Sequence, residues 1–232
     1  MQHIKNATDN IIEFELWGES ALYTIPMTMV GNEEMTYPVP TYEALKGVCQ
    51  SIYWKPTIEY NPLAVRIINP IRMEPRSKLL PKYYASGSDL AYHTYLKDVK
   101  YQVRVELCWS NDKNYIADRN PKKHIESARR WIGRGGKLPV FLGKKECVGF
   151  VAPCEFGTGK GTYDGVDMDL GIMFHGYTYP NQAYNAATQG KLTCRMFQCS
   201  MKNGIIAFPN PEECPIQRVV KTEEPKWIPK KY

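Results

Sequence analysis

Strict alternation of apolar and polar side chains from Val99 to Trp109 constrains the fold more than any other feature of this sequence. Apolar residues occupy every odd position of that segment, and polar or charged residues occupy four of its five even positions. Such a period of two is typical of a strand with one face buried and the other in water. A shorter alternation from Ile12 to Leu16, ended by Gly18, predicts a second half-buried strand.

A first helix is predicted between Thr41 and Pro56. Thr41 is a favourable N-cap residue, and Pro56 cannot continue a helix. The apolar side chains between them recur with helical spacing on one face: Leu45, Val48, Cys49 and Ile52. Tyr53 falls on the last turn, where an aromatic side chain most often belongs to the core or its rim.

A second helix is predicted from Asn120 and Pro121 to about Ile132. Asn120 is a favourable cap, and proline is well suited to the first helical position. Glycines at 133, 135 and 136 end the helix.

The order of these elements predicts the fold class. With strands expected at Val65–Ile68 and Cys147–Val151, the chain reads βαββαβ. This is the ferredoxin-like (RRM-like) order that RNA-recognition modules also use, and it makes the protein α+β. The irregular, tyrosine-rich stretch 70–97 predicts a hairpin or long loop inserted into that domain.

The C-terminal part of the chain is predicted to be a small antiparallel β-domain. Strands are expected at Asp169–Phe174, Leu192–Met201 and Ile205–Phe208, and Asn203-Gly204 is a strong hairpin-turn signal between the last two. The predicted division is therefore 1–155 and 156–232, with the tail beyond Pro209 extended over the surface.

Composition excludes several classes of protein. No apolar run approaches the roughly 18 residues of a membrane span, and the polar first ten residues do not resemble a signal peptide. We therefore expect a cytoplasmic protein with no membrane partner. The seven cysteines form no C-x-x-C pair and have no histidine at ligand spacing, so we expect reduced thiols, no metal site and no cofactor.

Positive charge is concentrated in one segment of the chain. Residues 119–145 contain nine Lys or Arg and a single acid, whereas the formal net charge of the whole chain is +6. Such a local excess indicates a polyanion partner, although a solvated basic face with no partner is the alternative. The candidate RNA-binding residues are Arg119, Lys122, Arg129, Arg130, Arg134, Lys144 and Lys145.

Cations in the first turn of the second helix point to a site there. Lys122, Lys123 and His124 oppose the helix dipole, which favours anions at that end. A bound phosphate would remove the conflict, with His124 beside it as a general acid or base. The alternative is that Lys122, Lys123 and His124 lie on the surface and have no functional role. The sequence contains no P-loop, no acidic cluster for two metals and no Ser-His-Asp signature.

Six longer strings carry a resemblance to a known family. In chain order they are Val39-Pro-Thr-Tyr-Glu-Ala-Leu-Lys-Gly, Ser51-Ile-Tyr-Trp-Lys-Pro, Thr94-Tyr-Leu-Lys-Asp-Val, Phe141-Leu-Gly-Lys-Lys-Glu-Cys, Gly149-Phe-Val-Ala-Pro-Cys-Glu-Phe and Asp169-Leu-Gly-Ile-Met-Phe-His. From about Phe14 to about Phe208, the chain closely resembles the type I-C (Dvulg subtype) member of the CRISPR-associated Cas-five family, in the RAMP superfamily.

The resemblance implies a ferredoxin-like domain with an inserted hairpin, a small C-terminal β-domain and an endoribonuclease activity. Such a protein cleaves CRISPR precursor RNA at the base of the repeat hairpin. It then stays on the 5′ handle of the mature guide RNA, in a surveillance complex with backbone and large subunits. The alternative is a non-catalytic subunit of that complex, which binds the guide-RNA handle or duplex DNA.

The resemblance also assigns catalytic residues. The family's active-site tyrosine falls on Tyr53 and its lysine–histidine pair on Lys123 and His124, although Lys122 leaves open which amine acts. These residue types suit metal-independent attack by a ribose 2′-OH, which forms a 2′,3′-cyclic phosphate. Whether Tyr53 or His124 is the base stays open at this point.

Overall fold

The computed structural model describes residues 2–4, 10–31, 33–82, 84, 86–182 and 188–221. Two α-helices lie among these residues, α1 at Tyr42–Ile52 and α2 at Pro121–Ile132. The strands, in chain order, are β1 Ile11–Ala21, β2 Ile58–Ile67, β3 Met73–Pro81, β4 Ser88–Trp109, β5 Val140–Phe141, β6 Val148–Pro153, β7 Met168–Thr178, β8 Leu192–Lys202, β9 Ile205–Ala207 and β10 Ile216–Lys221. The protein is thus a mixed helix-and-sheet protein, as the α+β class predicts.

β4 is the central strand of an antiparallel sheet. Along one edge it pairs with β1, from Ile11↔Glu106 to Ala21↔Leu96. Along the other edge β2 pairs with its second half and β3 with its first half. The strand order across the sheet is β10-β8-β9-β2-β4-β1-β6-β5, and β7 pairs with β8 outside this order. In the central order β2-β4-β1-β6, α1 connects β1 to β2, and α2 connects β4 to β6.

The alternation in β1 and β4 produces the core. Phe14, Leu16, Val103 and Val105 are fully buried, and both helices pack their apolar faces on the same core. Burying a side chain of this size contributes on the order of 1.5–3 kcal/mol, so the helix-covered face is a large part of the stability. Both helix caps form as predicted. The Thr41 hydroxyl accepts a hydrogen bond from the N–H of Ala44, and the Asn120 side chain accepts one from the N–H of Lys123.

Two elements differ from the sequence-based expectation. β2 begins at Ile58, seven residues before the predicted Val65, because a bulge at Pro62 lets polar residues and a proline continue the pairing with β4. The tail does not simply extend over the surface, since β10 pairs with β8 from Ile216↔Met196 onward. Residues 222–232 of the predicted tail lie outside the described residues.

The inserted segment 70–97 forms a hairpin in which β3 pairs with the first half of β4. Positions 83 and 85 at its tip lie outside the described residues. The sheet also runs across the expected division at residue 155, because Ala64–Arg66 of β2 pairs with β9. The division itself stays a prediction.

Among the described residues, neither helix has the length and apolar character that a membrane span requires.

Candidate active site

The end of α1 fixes the position of Tyr53. Its backbone leaves the helix in an extended conformation, while its N–H still donates to Cys49 at 3.0 Å. Its carbonyl oxygen accepts the hydroxyl of Tyr60 at 2.6 Å. Hydrogen bonds at its N–H and at its carbonyl oxygen therefore fix the backbone of Tyr53. Its side chain points toward α2, and only 5% of the residue's surface is exposed.

The start of α2 places two neighbouring side chains in opposite environments. His124 shares the inward face of the helix with Ala128 and Ile132, and it is fully buried. Lys123 points outward, with 52% of its side chain exposed. Helical geometry thus puts an imidazole inside the protein and an ammonium at the surface beside it.

Tyr53 and His124 meet although they are 71 residues apart. The Tyr53 hydroxyl lies 3.0 Å from Nδ1 of His124, and Nε2 lies 2.9 Å from the main-chain oxygen of Asp118. A carbonyl oxygen only accepts, so Nε2 carries the hydrogen in the neutral imidazole and Nδ1 accepts from Tyr53. The edge of the Trp109 ring packs against the imidazole at 5.9 Å between centroids.

Asp118 adds a negative charge to this group. Its carboxylate accepts from Nζ of Lys123 and, at 2.9 Å, from the Thr57 hydroxyl. These bonds lower the pKa of Asp118, and the same carboxylate raises the pKa of Lys123. Both groups are therefore charged at neutral pH. Burial is the largest influence on Tyr53 and raises its pKa, so Tyr53 remains a neutral phenol.

Several predicted RNA-binding residues surround this group. Arg119 donates to Gln2 at 2.9 Å and to the carbonyl oxygen of Ser110 at 2.7 Å. Lys122 is exposed and lies 4.0 Å from Glu126, one turn further along α2.

The remaining basic residues of α2 and the loop after it are exposed. Arg129 donates to the carbonyl oxygen of Ile11 at 3.3 Å, at the start of β1. Burial raises the pKa of the Tyr53 hydroxyl, and Arg130 is close enough to offset part of that rise. Arg134 lies over the ring of Trp131, 5.5 Å from its centroid. The cations at 119–134 thus lie on α2 and in the segments directly before and after it, beside the catalytic candidates.

Lys144 and Lys145 lie elsewhere. Lys144 pairs with Glu34 at 2.8 Å, and Lys145 is exposed in the same turn between β5 and β6. That turn packs against Leu22, just after the last residue of β1, whereas Arg129 contacts the first residue of β1. The structure therefore does not bring these two lysines together with Tyr53, Lys123 and His124.

Reasoning from sequence missed Asp118 and Thr57. Asp118 had one usable signal, an acid five residues before Lys123 at the edge of a segment otherwise almost free of acids. Thr57 had none, because its role depends on the approach of the α1–β2 turn to the loop before α2.

Metal-ligating side chains come together at a different place. Donor atoms of His3, Glu106 and Cys108 lie within 4.8 Å of one another, the one such group found in the described part of the chain. Spacing along the sequence could not reveal it, because His3 reaches β4 through the pairing of Gln2 with Trp109. Glu106 already accepts hydrogen bonds from His3, Asn10 and Asn61, so its charge is satisfied without an ion.

Comparisons with known proteins agree on one family. Residues 11–209 match the profile of the CRISPR-associated protein family Cas5, in its Cas5d form. Two curated relatives are both called CRISPR pre-crRNA endoribonuclease Cas5d. The one from Thermus thermophilus is 28% identical over 70% of this chain and 71% of its own length. The one from Mannheimia succiniciproducens is 25% identical over 86% of this chain and 95% of its own length.

Solved structures share the fold. A crystal structure of a CRISPR-associated protein is 32% identical, with a TM-score of 0.71, and covers 90% of this chain and 96% of its own. A functionally uncharacterized protein from Streptococcus mutans is 33% identical with a TM-score of 0.70 at the same coverage.

Proposed function

The chain belongs to the CRISPR-associated Cas5 family, and from that premise we propose that it is a metal-independent endoribonuclease for CRISPR precursor RNA. It cuts at the base of the repeat hairpin and then stays on the 5′ handle of the guide. Both curated relatives are called pre-crRNA endoribonucleases. The observation that carries the proposal is the 3.0 Å contact between Tyr53 and His124, with Lys123 exposed beside it.

Burial separates the roles of the three side chains. His124 is fully buried and its Nδ1 contacts the Tyr53 hydroxyl, so it acts on a substrate through Tyr53. A phenol with a raised pKa is a poor base by itself. Tyr53 therefore accepts the proton of the ribose 2′-OH while its own proton moves to Nδ1 of His124. His124 is the base, and Tyr53 transmits its effect.

The freed 2′-oxygen attacks the adjacent phosphorus, and the bond to the 5′-oxygen breaks. Lys123 neutralises the charge on the phosphorane oxygens, and the departing 5′-oxygen takes a proton from solvent. An aligned internal nucleophile supplies on the order of 7–11 kcal/mol of the barrier. General acid–base catalysis adds about 10²–10⁴-fold, enough for an internal hydroxyl and too little for attack by water. The products are a 2′,3′-cyclic phosphate and a guide with a 5′-hydroxyl.

The finer fold and the partners belong to the same proposal. The order β2-β4-β1-β6 with two helical connections supports a ferredoxin-like domain within residues 1–155. We propose membership of a type I-C surveillance complex with backbone and large subunits. The exposed β3–β4 hairpin, where 99% of Tyr84 is exposed, is the part of the chain offered for those contacts.

The test is incubation of the purified protein with a repeat-hairpin RNA in EDTA. We expect cleavage in the chelator and a cyclic phosphate on the upstream product. A matched RNA with one 2′-deoxynucleotide just upstream of the scissile bond should bind equally well and remain whole. A requirement for magnesium or manganese, or efficient cutting of the deoxy substrate, would contradict the mechanism.

A further inference from the structure

Asp118 forms hydrogen bonds with the side chains of both members of the lysine–histidine pair. It ends the 3-10 turn Lys113–Asp118, two residues before the cap of α2. Oδ1 accepts from Nζ of Lys123, and the main-chain oxygen lies 2.9 Å from Nε2 of His124. Oδ2 lies 3.4 Å from the same Nε2. Both the backbone and the side chain of Asp118 therefore act on the candidate active site.

The Asp118 carboxylate holds the Lys123 ammonium in place, although side-chain flexibility and the helix dipole both favour its leaving. A lysine is long and flexible, and a cation in the first turn of a helix is repelled by the helix dipole. The bond to Asp118 uses one of the three ammonium hydrogens and leaves two for a phosphate oxygen. Since Lys123 is half exposed, an unrestrained ammonium would sample many positions in water.

The same carboxylate faces the charge that the reaction creates on His124. Once Nδ1 has taken a proton, the imidazole is a cation inside the protein, and burial of an uncompensated charge is unfavourable. Oδ2 of Asp118 lies 3.4 Å from Nε2, on the side of the ring away from Tyr53. This is the arrangement of an acid that orients a histidine while the other ring nitrogen does the chemistry.

Thr57 fixes Asp118 to the tyrosine side of the site. Its hydroxyl donates to Oδ2 at 2.9 Å, and it lies four residues after Tyr53 in the turn that precedes β2. The carboxylate thus joins the two chain segments that carry Tyr53 and the Lys123–His124 pair.

We propose that Asp118 is a positioning residue of the endoribonuclease site, which aims Lys123 at the scissile phosphate and stabilises His124 when it is protonated. This inference rests on the proposed function. It adds a fourth residue and a reason why the pair works as a unit.

The experiment measures single-turnover cleavage and RNA affinity for wild type and Asp118→Asn. Asn is isosteric and still accepts from Thr57, but it carries no charge. We expect affinity within about 3-fold of wild type, since one of many charges is altered. The cleavage rate should fall on the order of 10–100-fold, the range typical of carboxylates and other partners that orient metal-bound histidines. Asp112→Asn is the matched control, because Asp112 caps the same turn through Asn114 and does not touch the site. It should cut at the wild-type rate.

The pH profile separates positioning from a merely structural role. The groups that face Lys123 are Asp118 and Tyr53, with His124 next to it on α2. Because Asp118 raises the pKa of Lys123, its loss lets the ammonium deprotonate at lower pH. The alkaline fall in rate should therefore move to lower pH in Asp118→Asn. Asp118→Glu keeps the charge, so it should keep the alkaline limb where wild type has it.

The possible outcomes separate failure of this inference from failure of the proposed function. A wild-type rate and profile in Asp118→Asn, with an active wild type, would overturn this inference alone. An equal loss at every pH in both the Asn and Glu variants would reduce Asp118 to a folding residue and would overturn it too. If wild type itself fails to cut, the proposed function and this inference both fail. Should Asp118→Asn unfold, as circular dichroism would show, an alkaline limb displaced in Asp118→Glu would count against the inference.

Discussion

At the residue scale, exposure assigns different chemistry to side chains that are adjacent in the sequence. Lys123 and His124 are neighbours, yet one is half exposed and the other fully buried. In the proposed mechanism, the buried imidazole exchanges protons through Tyr53, and the exposed ammonium meets phosphate directly. A Lys-Lys-His string does not contain this distinction until the helix face is known.

Tyr53→Phe tests the relay through the tyrosine. The substitution removes only the hydroxyl, while the ring and the main-chain bond from Tyr60 remain. Cleavage should fall by about 10²-fold or more, with affinity for the repeat hairpin unchanged within about 3-fold.

His124→Ala should likewise abolish cutting with affinity kept within several-fold. A parallel loss of affinity and rate in either variant would instead indicate a binding or folding role.

A comparison of Lys122→Ala with Lys123→Ala decides which amine acts. Lys123 bonds to Asp118 at the site, whereas Lys122 lies near Glu126 on the outer face of α2. We expect Lys123→Ala to lower the single-turnover rate by about 10²-fold, in the range of lost electrostatic stabilisation. Lys122→Ala should only weaken binding and reduce its dependence on salt. The reverse ranking would transfer the role to Lys122.

At the element scale, β4 connects the two regions to which we assign separate roles. Its last residues lie beside His124, whereas its first residues form the hairpin with β3. The hairpin tip is about 20 residues along β4 from Trp109, which corresponds to several tens of Å at about 3.3 Å per residue. Contacts at the tip are therefore separate from the chemistry.

Deletion of Lys82–Ser88 tests this separation. The described residues of the tip, at 82, 84 and 86–88, are exposed and do not belong to the core around Tyr53. We expect cleavage of the repeat RNA within about 3-fold of wild type and a clear loss of assembly with the other complex subunits, measured by co-purification. Replacement by a short Gly-containing turn preserves the β3–β4 pairing in the control. A larger loss of cleavage than of assembly would contradict the assignment.

At the scale of the whole molecule, a buried polar network joins the C-terminal strands to α1. Arg195 of β8 is almost fully buried, and it donates to Glu43 of α1 at 3.2 Å and to His175 of β7 at 3.3 Å. Its third partner is the Thr178 hydroxyl. A Cβ at Gly176 would lie 2.3 Å from the Glu43 carboxylate, so a larger residue there would displace the Glu43–Arg195 pair.

Glu43→Ala should therefore destabilise the whole protein. It leaves the buried guanidinium of Arg195 without its carboxylate, and removing one partner of a buried pair typically costs about 3–5 kcal/mol. Since 34% of the Glu43 side chain is exposed, we expect the lower part of that range, measured by urea unfolding. Gln50→Ala, two turns along the same helix, removes an exposed side chain and should change the stability by less than about 0.5 kcal/mol.

His175 makes stability fall at acid pH. Burial and the nearby Arg195 lower the pKa of His175 to about 3, compared with about 6.5 in an unfolded chain. Between these values only the unfolded state binds the proton, so stability is intact above about pH 6.5 and declines toward about pH 3. The slope is about 1.4 kcal/mol per pH unit. His175→Gln removes this titration, so its unfolding free energy should vary less steeply between pH 6.5 and 4, and parallel curves would refute the assignment.

The sequence alone determined the local elements, because their signals lie within a few residues of one another. Caps at Thr41 and Asn120, the stop at Pro56 and the alternation in β4 each depend on neighbours along the chain. The three catalytic candidates came from a family resemblance together with the unfavourable charge at the start of α2. Sequence therefore supplied the residue types and the chemistry that they permit.

Only the tertiary structure decided which of these residues share a site. Tyr53 meets His124 across 71 residues, and Asp118 joins them from a loop whose position depends on Thr57. Lys144 and Lys145 belong to the same charge-rich segment, yet a turn at the far end of β1 carries them away. Charge and propensity are read along the chain, whereas a site is set by strand pairing and helix packing between distant segments. Those long-range contacts depend on the burial of the whole core, which no single segment specifies.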